Sequence, residues 1–77
     1  DKETKQAAVD AAAAEMKSAG DAVRQAEGVV AVAQTRANKS PNSQTKAALK
    51  AAQEDLAWKK KLLGIATQKH KDAVAAR

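Results

Sequence analysis

The stretch Asn38-Lys39-Ser40-Pro41-Asn42-Ser43 decides the fold, because it holds the only proline and separates two long segments of helical character. Small polar residues around one proline are typical of a connection between helices. A short connection makes neighbouring helices antiparallel. We therefore predict a single helical hairpin over residues 1–77, with helix 1 at about residues 4–37, a loop at 38–43 and helix 2 at about 44–75.

Apolar residues recur every seven positions in both segments, which is the repeat of helices that pack as a coiled coil. Pairing Leu56 with Ala26 sets each leucine opposite an alanine and centres the hairpin on Pro41, so the two repeats are complementary in size. We predict an all-α fold, an antiparallel two-helix coiled coil. The repeats are Val9, Met16, Val23 and Val30 with Ala12, Ala19, Ala26 and Ala33 in helix 1, and Leu49, Leu56 and Leu63 with Ala52, Lys59, Ala66 and Ala73 in helix 2.

The same register predicts two ion pairs beside the seam, which is the line of apolar repeats where the two helices meet. They are Glu15 with Lys69 and Glu27 with Lys60. Exposed pairs of this kind stabilise a fold by only ~0–1 kcal/mol each. The register also puts Lys59 in the seam, where its ammonium group must reach outward to water.

The helix ends carry residues with known end preferences. We expect Asn38 to cap helix 1 in the left-handed region, and either Ser40 or Ser43 to cap helix 2. Asp1 and Glu3 lie near the start of helix 1, where the helix dipole favours negative charge.

Composition limits the possible functions. The chain has no Cys, which removes disulfides and thiolate metal sites, and Trp58 is its one aromatic residue. No apolar run approaches the ~18 residues that a membrane span needs, and no signal-peptide pattern is present. Since the chain opens on Asp1 rather than Met, we expect it to be a fragment of a longer protein.

Residue types that carry catalysis are scattered along the chain. His70 is the only histidine, and Asp72, two residues on, points to a different face of a helix. Ser40 and Ser43 have no base near them in the loop, and no glycine-rich phosphate loop exists. We predict that the segment is not an enzyme and holds no metal or cofactor.

The net charge of +5 belongs entirely to the second half of the chain. Residues 1–40 hold six basic and six acidic side chains, and residues 41–77 hold eight basic and three acidic. We interpret the lysines as a solvated helix face; an anionic partner such as lipopolysaccharide, lipid or nucleic acid is the alternative. Nucleic acid is the less favoured of these, because arginines are few and stacking aromatics are absent.

A second apolar stripe lies beside the leucine repeat. Trp58, Leu62 and Ile65 recur at i, i+4 and i+7, and Val29 and Val32 fall on the same side of helix 1. A two-helix hairpin cannot bury both this stripe and its own seam, and an exposed apolar cluster marks a contact surface. We expect the stripe to be covered by a third helix of the parent protein or by a second copy of the hairpin. A dedicated receptor site is the alternative.

The stretch Lys5-Gln6-Ala7-Ala8-Val9-Asp10-Ala11-Ala12-Ala13-Ala14-Glu15, continuing through Asp21-Ala22, resembles one arm of the coiled-coil hairpin of E-group nuclease colicins. In those bacteriocins a long helical hairpin forms the receptor-binding domain, and its apex docks on an outer-membrane transporter. The resemblance covers about a quarter of the chain and does not extend to the apex. It implies a module of a secreted bacterial toxin that binds an outer-membrane receptor at the target cell envelope.

The chain is also similar to the hairpin of periplasmic adaptor (membrane fusion) proteins, whose tip docks on an outer-membrane channel. Arg36 and Ser43 lie where the tip motif of that family has Arg and Ser, although the Leu between them is missing. We predict a receptor-binding module that acts through its apex, residues 38–43, or through the stripe around Trp58. A structural spacer or periplasmic adaptor hairpin is the alternative.

Overall fold

A computed structural model describes residues 2–77 as two long helices joined by a short connection. Helix α1 spans Lys2–Lys39 and helix α2 spans Ser43–Ala76. They run antiparallel and pack on each other, and the molecule extends over 58 × 13 × 12 Å. The predicted all-α hairpin is confirmed, whereas the charge of Asp1 at the helix start lies outside the described residues.

The seam between the helices contains both seven-residue repeats, and every member of them is buried or half-buried. Ala26 is the most deeply buried member at only 2% exposed, and Val9, Val23 and four of the other alanines are buried as well. The leucines of α2 are half-buried, because a single facing helix covers them from one side only. No large side chain among residues 2–77 is fully buried. The hairpin therefore has a thin apolar seam and no enclosed core.

Contacts near the open end of the hairpin fix the register. Lys69 Nζ lies 3.9 Å from Glu15 Oε2, as predicted, and Arg77 Nη1 donates a hydrogen bond of 2.9 Å to Gln6 Oε1. The register that sets Leu56 opposite Ala26 also places the residues of each of these contacts side by side.

The expected pair of Glu27 with Lys60 does not form an ion pair among residues 2–77. The two residues share an edge of the seam, but Lys60 lies level with Gly20, one heptad away from Glu27. At ~1.5 Å per residue this offset is about 10 Å along the axis, which is too far for a direct ion pair.

Asn42 caps α2, and neither of the two expected serines does so. Its Oδ1 accepts a hydrogen bond of 2.9 Å from the backbone N–H of Thr45, and Thr45 Oγ1 accepts one of 3.0 Å from the backbone N–H of Asn42. Thr45 Oγ1 also lies 2.7 Å from the carbonyl oxygen of Ser40, to which it can donate. This reciprocal capping box satisfies the first turn, so Ser43 becomes the first helical residue.

Helix α1 continues past residue 37, and Asn38 is not a left-handed cap. Within residues 2–77 no non-glycine residue has a positive φ. Asn38 stays helical and its Oδ1 accepts a hydrogen bond of 3.0 Å from Gln34 Nε2. The backbone N–H of Ser40 still donates to the carbonyl of Arg36 at 2.9 Å, which extends the helical bonding by one residue. The turn is thereby confined to residues 40–42.

Two polar residues occupy the seam of α2. Lys59 is half-buried and its Nζ lies 2.9 Å from Asp55 Oδ2, so the ammonium group reaches the edge of the seam as predicted. His70 is half-buried near the open end. Both residues keep the seam from being uniformly apolar.

Candidate interaction surfaces

The two edges of the seam differ in chemistry. In an antiparallel coiled coil the residues directly before each member of the repeats, such as those before Val30 and Leu63, lie along one edge of the seam. The residues directly after each member, such as those after Ala33 and Ala73, lie along the other edge. We name the first the apolar flank, and its large members are Val29, Val32, Trp58, Leu62 and Ile65. We name the second the cationic flank, and its basic members are Lys17, Arg24, Lys46, Lys50, Lys60 and Lys71.

The apolar flank contains five of the six large apolar side chains that the described residues expose, and these five are 40% to 58% exposed. The sixth, Val74, lies on the cationic flank. Isolated apolar residues are ordinary on a protein surface, whereas a contiguous apolar strip marks a contact site. The stripe residues predicted from the sequence therefore lie on one exposed surface.

The contact between Glu15 and Lys69 sets the order of residues along the apolar flank, because it shows which residues of α1 and α2 lie level. Leu62 lies one heptad nearer the apex than this pair, and Trp58 lies one turn beyond it. Val29 follows on α1, two heptads from the pair. From the open end to the apex the order is Ile65, Leu62, Trp58, Val29 and Val32.

At its apical end the apolar flank opens into a groove of about 750 Å³. Residues that line it include Gly28, Val29, Val32, Ala33, Arg36 and Ala48. A Cβ added at Gly28 would meet nothing within 4 Å, so the glycine does not mark a close approach of the helices. The groove exists because short side chains lie where large ones would fill the space.

Charged groups border the apolar flank, and one of them, Asp55, lies within it, level with Val29. Lys61 Nζ lies 5.7 Å from the centroid of the Trp58 ring, a cation–π contact that still leaves the ring largely exposed. Asp55 is the carboxylate nearest the middle of the strip, and it is paired with Lys59. The middle of the flank thus carries no uncompensated negative charge from Asp55.

The apex is the second candidate surface. All six residues predicted there are exposed, and they are Asn38, Lys39, Ser40, Pro41, Asn42 and Ser43. The capping box uses the side chain of Asn42, and Asn38 bonds to Gln34 within α1. The apex therefore has a fixed backbone shape from which Lys39 and Pro41 project. It lies at the apical end of the groove, so the two candidate surfaces adjoin without coinciding.

The sequence analysis did not identify Thr45, although this residue determines the shape of the apex. Its signal was the spacing Asn42-Ser43-Gln44-Thr45, in which a capping residue is followed three positions later by a side chain that can bond back. Thr45 is also half-buried, in line with the seam repeat of α2.

Across residues 2–77, no three His, Cys, Asp or Glu side chains come together as ligands for a metal ion. No helix in this part of the chain is long and apolar enough to cross a membrane. No protein-family model, curated protein or solved structure matches the chain. The candidate surfaces therefore rest on the geometry of the hairpin itself.

Proposed function

We propose that the chain is a rigid, non-catalytic binding module, the receptor-binding hairpin of a bacterial colicin-like bacteriocin. Its apex engages an outer-membrane receptor protein of the target cell. The observation that carries this proposal is an exposed apex of fixed shape at one end of a continuous helical rod. The protein acts as a secreted antimicrobial toxin at the target cell envelope.

The rod supports this role because it holds the apex far from the open end, where residues 2 and 77 lie. Each helix runs without a break, and the molecule is 58 Å long. A tip that is already ordered loses less conformational entropy when it binds, and this raises affinity for a given set of contacts.

The chemistry of the apex suits recognition of a polar protein surface. Lys39 supplies a charge, Pro41 a rigid apolar ring and Ser43 a hydroxyl group, and all three are exposed. The resemblance of residues 5–15 to colicin hairpins supports the assignment to a bacteriocin. The receptor would be recognised by these few side chains and by the shape of the turn.

The test compares two double variants in binding of the fluorescently labelled chain to intact Gram-negative cells. Lys39→Ala with Ser43→Ala alters the apex and leaves the capping residue Asn42 in place. Lys17→Ala with Ser18→Ala makes the same changes in the middle of the rod, at positions that are also exposed. We expect binding about 30-fold weaker for the apex variant only, since two contacts are lost and each contributes ~1 kcal/mol.

Circular dichroism provides the control that both variants keep their helicity. Equal binding by the two variants would remove the apex from the proposal, as would binding to cell surfaces that no protease treatment abolishes, since a receptor protein would then not be involved.

The second candidate is a structural spacer or periplasmic adaptor hairpin, and the exposed apolar flank favours it. Such a hairpin packs on other helices of its own assembly. Under this alternative the apex variant binds normally, and Trp58 becomes shielded from acrylamide in the assembly while it is accessible in the isolated chain at concentrations low enough to keep the chain monomeric. Measuring Trp58 quenching in both forms separates the two functions.

A further inference from the structure

The apolar flank has a symmetry that a single hairpin does not require. Trp58 lies near its middle, Leu62 and Ile65 lie on the side of the open end, and Val29 and Val32 lie on the side of the apex. A surface that contacts its own copy about a two-fold axis must be complementary to itself under that rotation. We propose that two copies of the chain pair through the apolar flank in antiparallel orientation, with each apex near the open end of the other copy.

Reversing one rod over the other about an axis near Trp58 brings large residues into shared layers. Val29 of each copy comes level with Leu62 of the other, and Val32 comes level with Ile65 of the other. The product is a four-helix bundle, in which residues from all four helices fill each layer of the core. The half-buried leucines of each seam then gain a covering layer.

The groove near the apex receives a large side chain in this arrangement. The rotation places Ile65 of the second copy level with Val32, which lines the groove, and about one turn from Ala48 of α2, which also lines it. Ala33 and Gly28 line it as well, so no side chain larger than those of Val29 and Val32 crowds the apolar wall. A bulky side chain thus meets a space left by small ones, which is how well-packed cores interdigitate.

Charge selects the antiparallel orientation. Arg36 and Glu15 lie on the same edge of α1, each about 16 Å from the middle of the apolar flank at ~1.5 Å per residue. Antiparallel pairing brings Arg36 of each copy onto Glu15 of the other, and this carboxylate is then shared between Arg36 and Lys69 of its own chain, which lies 3.9 Å away. Parallel pairing would instead gather Arg36 and Lys39 of both copies at one end, where like charges repel.

The size of the surface fits a reversible dimer. Between the levels of Glu15 and Lys39 the flank measures about 36 Å by 20 Å, since each helix is ~10 Å wide. This is about 700 Å² per copy, slightly below the ~800 Å² of a standard protein interface. We expect a dissociation constant on the order of 10 μM, and each dimer would display one apex at either end.

Sedimentation equilibrium of the 8.0 kDa chain tests the pairing directly. Leu62→Lys alters the apolar flank, and Val74→Lys makes a matched change on the cationic flank, because both residues are 40% exposed. We expect the wild-type chain and the Val74→Lys variant to reach twice the monomer mass. The Leu62→Lys variant should stay monomeric, with a dissociation constant raised about 100-fold or more by the buried ammonium groups.

Charge exchange tests the orientation. Arg36→Glu and Glu15→Arg should each weaken the dimer about ten-fold, and the double variant should regain the wild-type affinity. A cysteine introduced as Gln25→Cys, near the two-fold axis, should form a disulfide-linked dimer on oxidation, since the chain has no other cysteine.

A wild-type chain that stays monomeric up to ~1 mM would overturn the pairing. Equal weakening by Leu62→Lys and Val74→Lys would overturn the assignment to the apolar flank. A double charge variant no better than the single ones, together with no disulfide at residue 25, would overturn the antiparallel orientation. Loss of cell binding by the apex variant is measured separately, so failure of either proposal is recognisable by itself.

Discussion

The two flanks of the hairpin share one seam and the same pair of helices, yet they offer opposite surfaces to a partner. The apolar flank presents Trp58, Leu62 and Ile65 in a strip, whereas the cationic flank presents lysines and Arg24 among alanine, glycine, glutamine, Glu27 and Val74. The seam alone would make a rod with two equivalent edges. This difference indicates that the residues beside the seam, which contribute little to pairing the helices, determine what the hairpin binds.

The cationic flank also limits what the apolar flank can do. Lys46 and Lys50 are four residues apart on α2, and like charges at this spacing repel within a helix. Two copies that met through their cationic flanks would bring still more like charges together. Repulsion there leaves the apolar flank as the edge through which copies can meet, so the two flanks act together to select one mode of association.

The strongest way to disturb both flanks at once is to separate the helices. Ala26→Leu adds bulk where the seam is most tightly closed and should lower the free energy of unfolding by about 1–3 kcal/mol. Urea unfolding followed by circular dichroism, at a concentration below that of association, measures this loss. Ala31→Leu, at an exposed position of α1, should change stability by less than ~0.5 kcal/mol. A seam variant as stable as the wild type would show that close packing of the helices does not require alanine at position 26.

A pair of glycines compares the two flanks without altering charge. Gly20 lies at the edge of the cationic flank and Gly28 lines the groove of the apolar flank, and a Cβ at either position meets nothing within 4 Å. Gly20→Ala and Gly28→Ala should each stabilise the monomer by about 1 kcal/mol, because alanine favours the helix. Thermal unfolding at low and high concentration measures both gains.

At high concentration only the stabilisation caused by Gly28→Ala should change, since the second copy then occupies the groove. Identical gains for both glycines at every concentration would indicate that the groove stays empty.

Charge at the start of α2 gives the next largest effect. The first turn of this helix has no acidic residue. Lys46→Glu should stabilise the fold by about 0.5–1 kcal/mol, because it complements the helix dipole and replaces the repulsion of Lys50 by attraction. Gln44→Glu, at the edge of the groove, supplies the dipole effect only and should gain less. Urea unfolding in low salt and in ~1 M salt measures both gains, and a gain at Lys46 that salt leaves unchanged would contradict the electrostatic cause.

The smallest effect concerns one ion pair beside each flank. Asp55→Asn breaks the pair with Lys59 on the apolar flank, and Asp21→Asn breaks the pair with Arg24 near the cationic flank. Both losses should fall within ~0–1 kcal/mol, as for other exposed pairs. The loss at Asp55 should be the larger, because Lys59 is less exposed than Arg24 and its stem lies in the seam. Precise urea titrations of the two variants would test this order.

The register and the apolar flank were predictable because both depend on periodicity. Seven-residue spacing puts Leu56 opposite Ala26 in an antiparallel pairing centred on Pro41, and it keeps every leucine on the face of α2 that meets α1. The same periodicity places Trp58 and Leu62 beside the seam. The predicted ion pair of Glu27 with Lys60 was wrong because the two residues lie on the same edge of the seam but one heptad apart along the helix axis.

The apex was harder to predict because several residues could perform the same task. Ser40, Asn42 and Ser43 all have side chains that cap helices, and the choice depends on which one leaves a bonding partner three residues later. Thr45 supplies that partner for Asn42. The groove was not predictable either, since it is an empty space between helices and depends on how closely the backbones approach.

The capping box at the apex also has a consequence for the order in which the hairpin assembles. Thr45 reaches both Asn42 and the carbonyl of Ser40, so the turn closes through contacts between near neighbours, whose loop entropy is small. The contact between Gln6 and Arg77 joins residues 71 positions apart and can form only after the intervening pairs. We expect the helices to zip from the apex towards the open end and to fray in the opposite direction, with the fastest amide exchange near the chain ends. The apex would then be the first part to become ordered and the last to melt, as suits a surface proposed to bind a receptor.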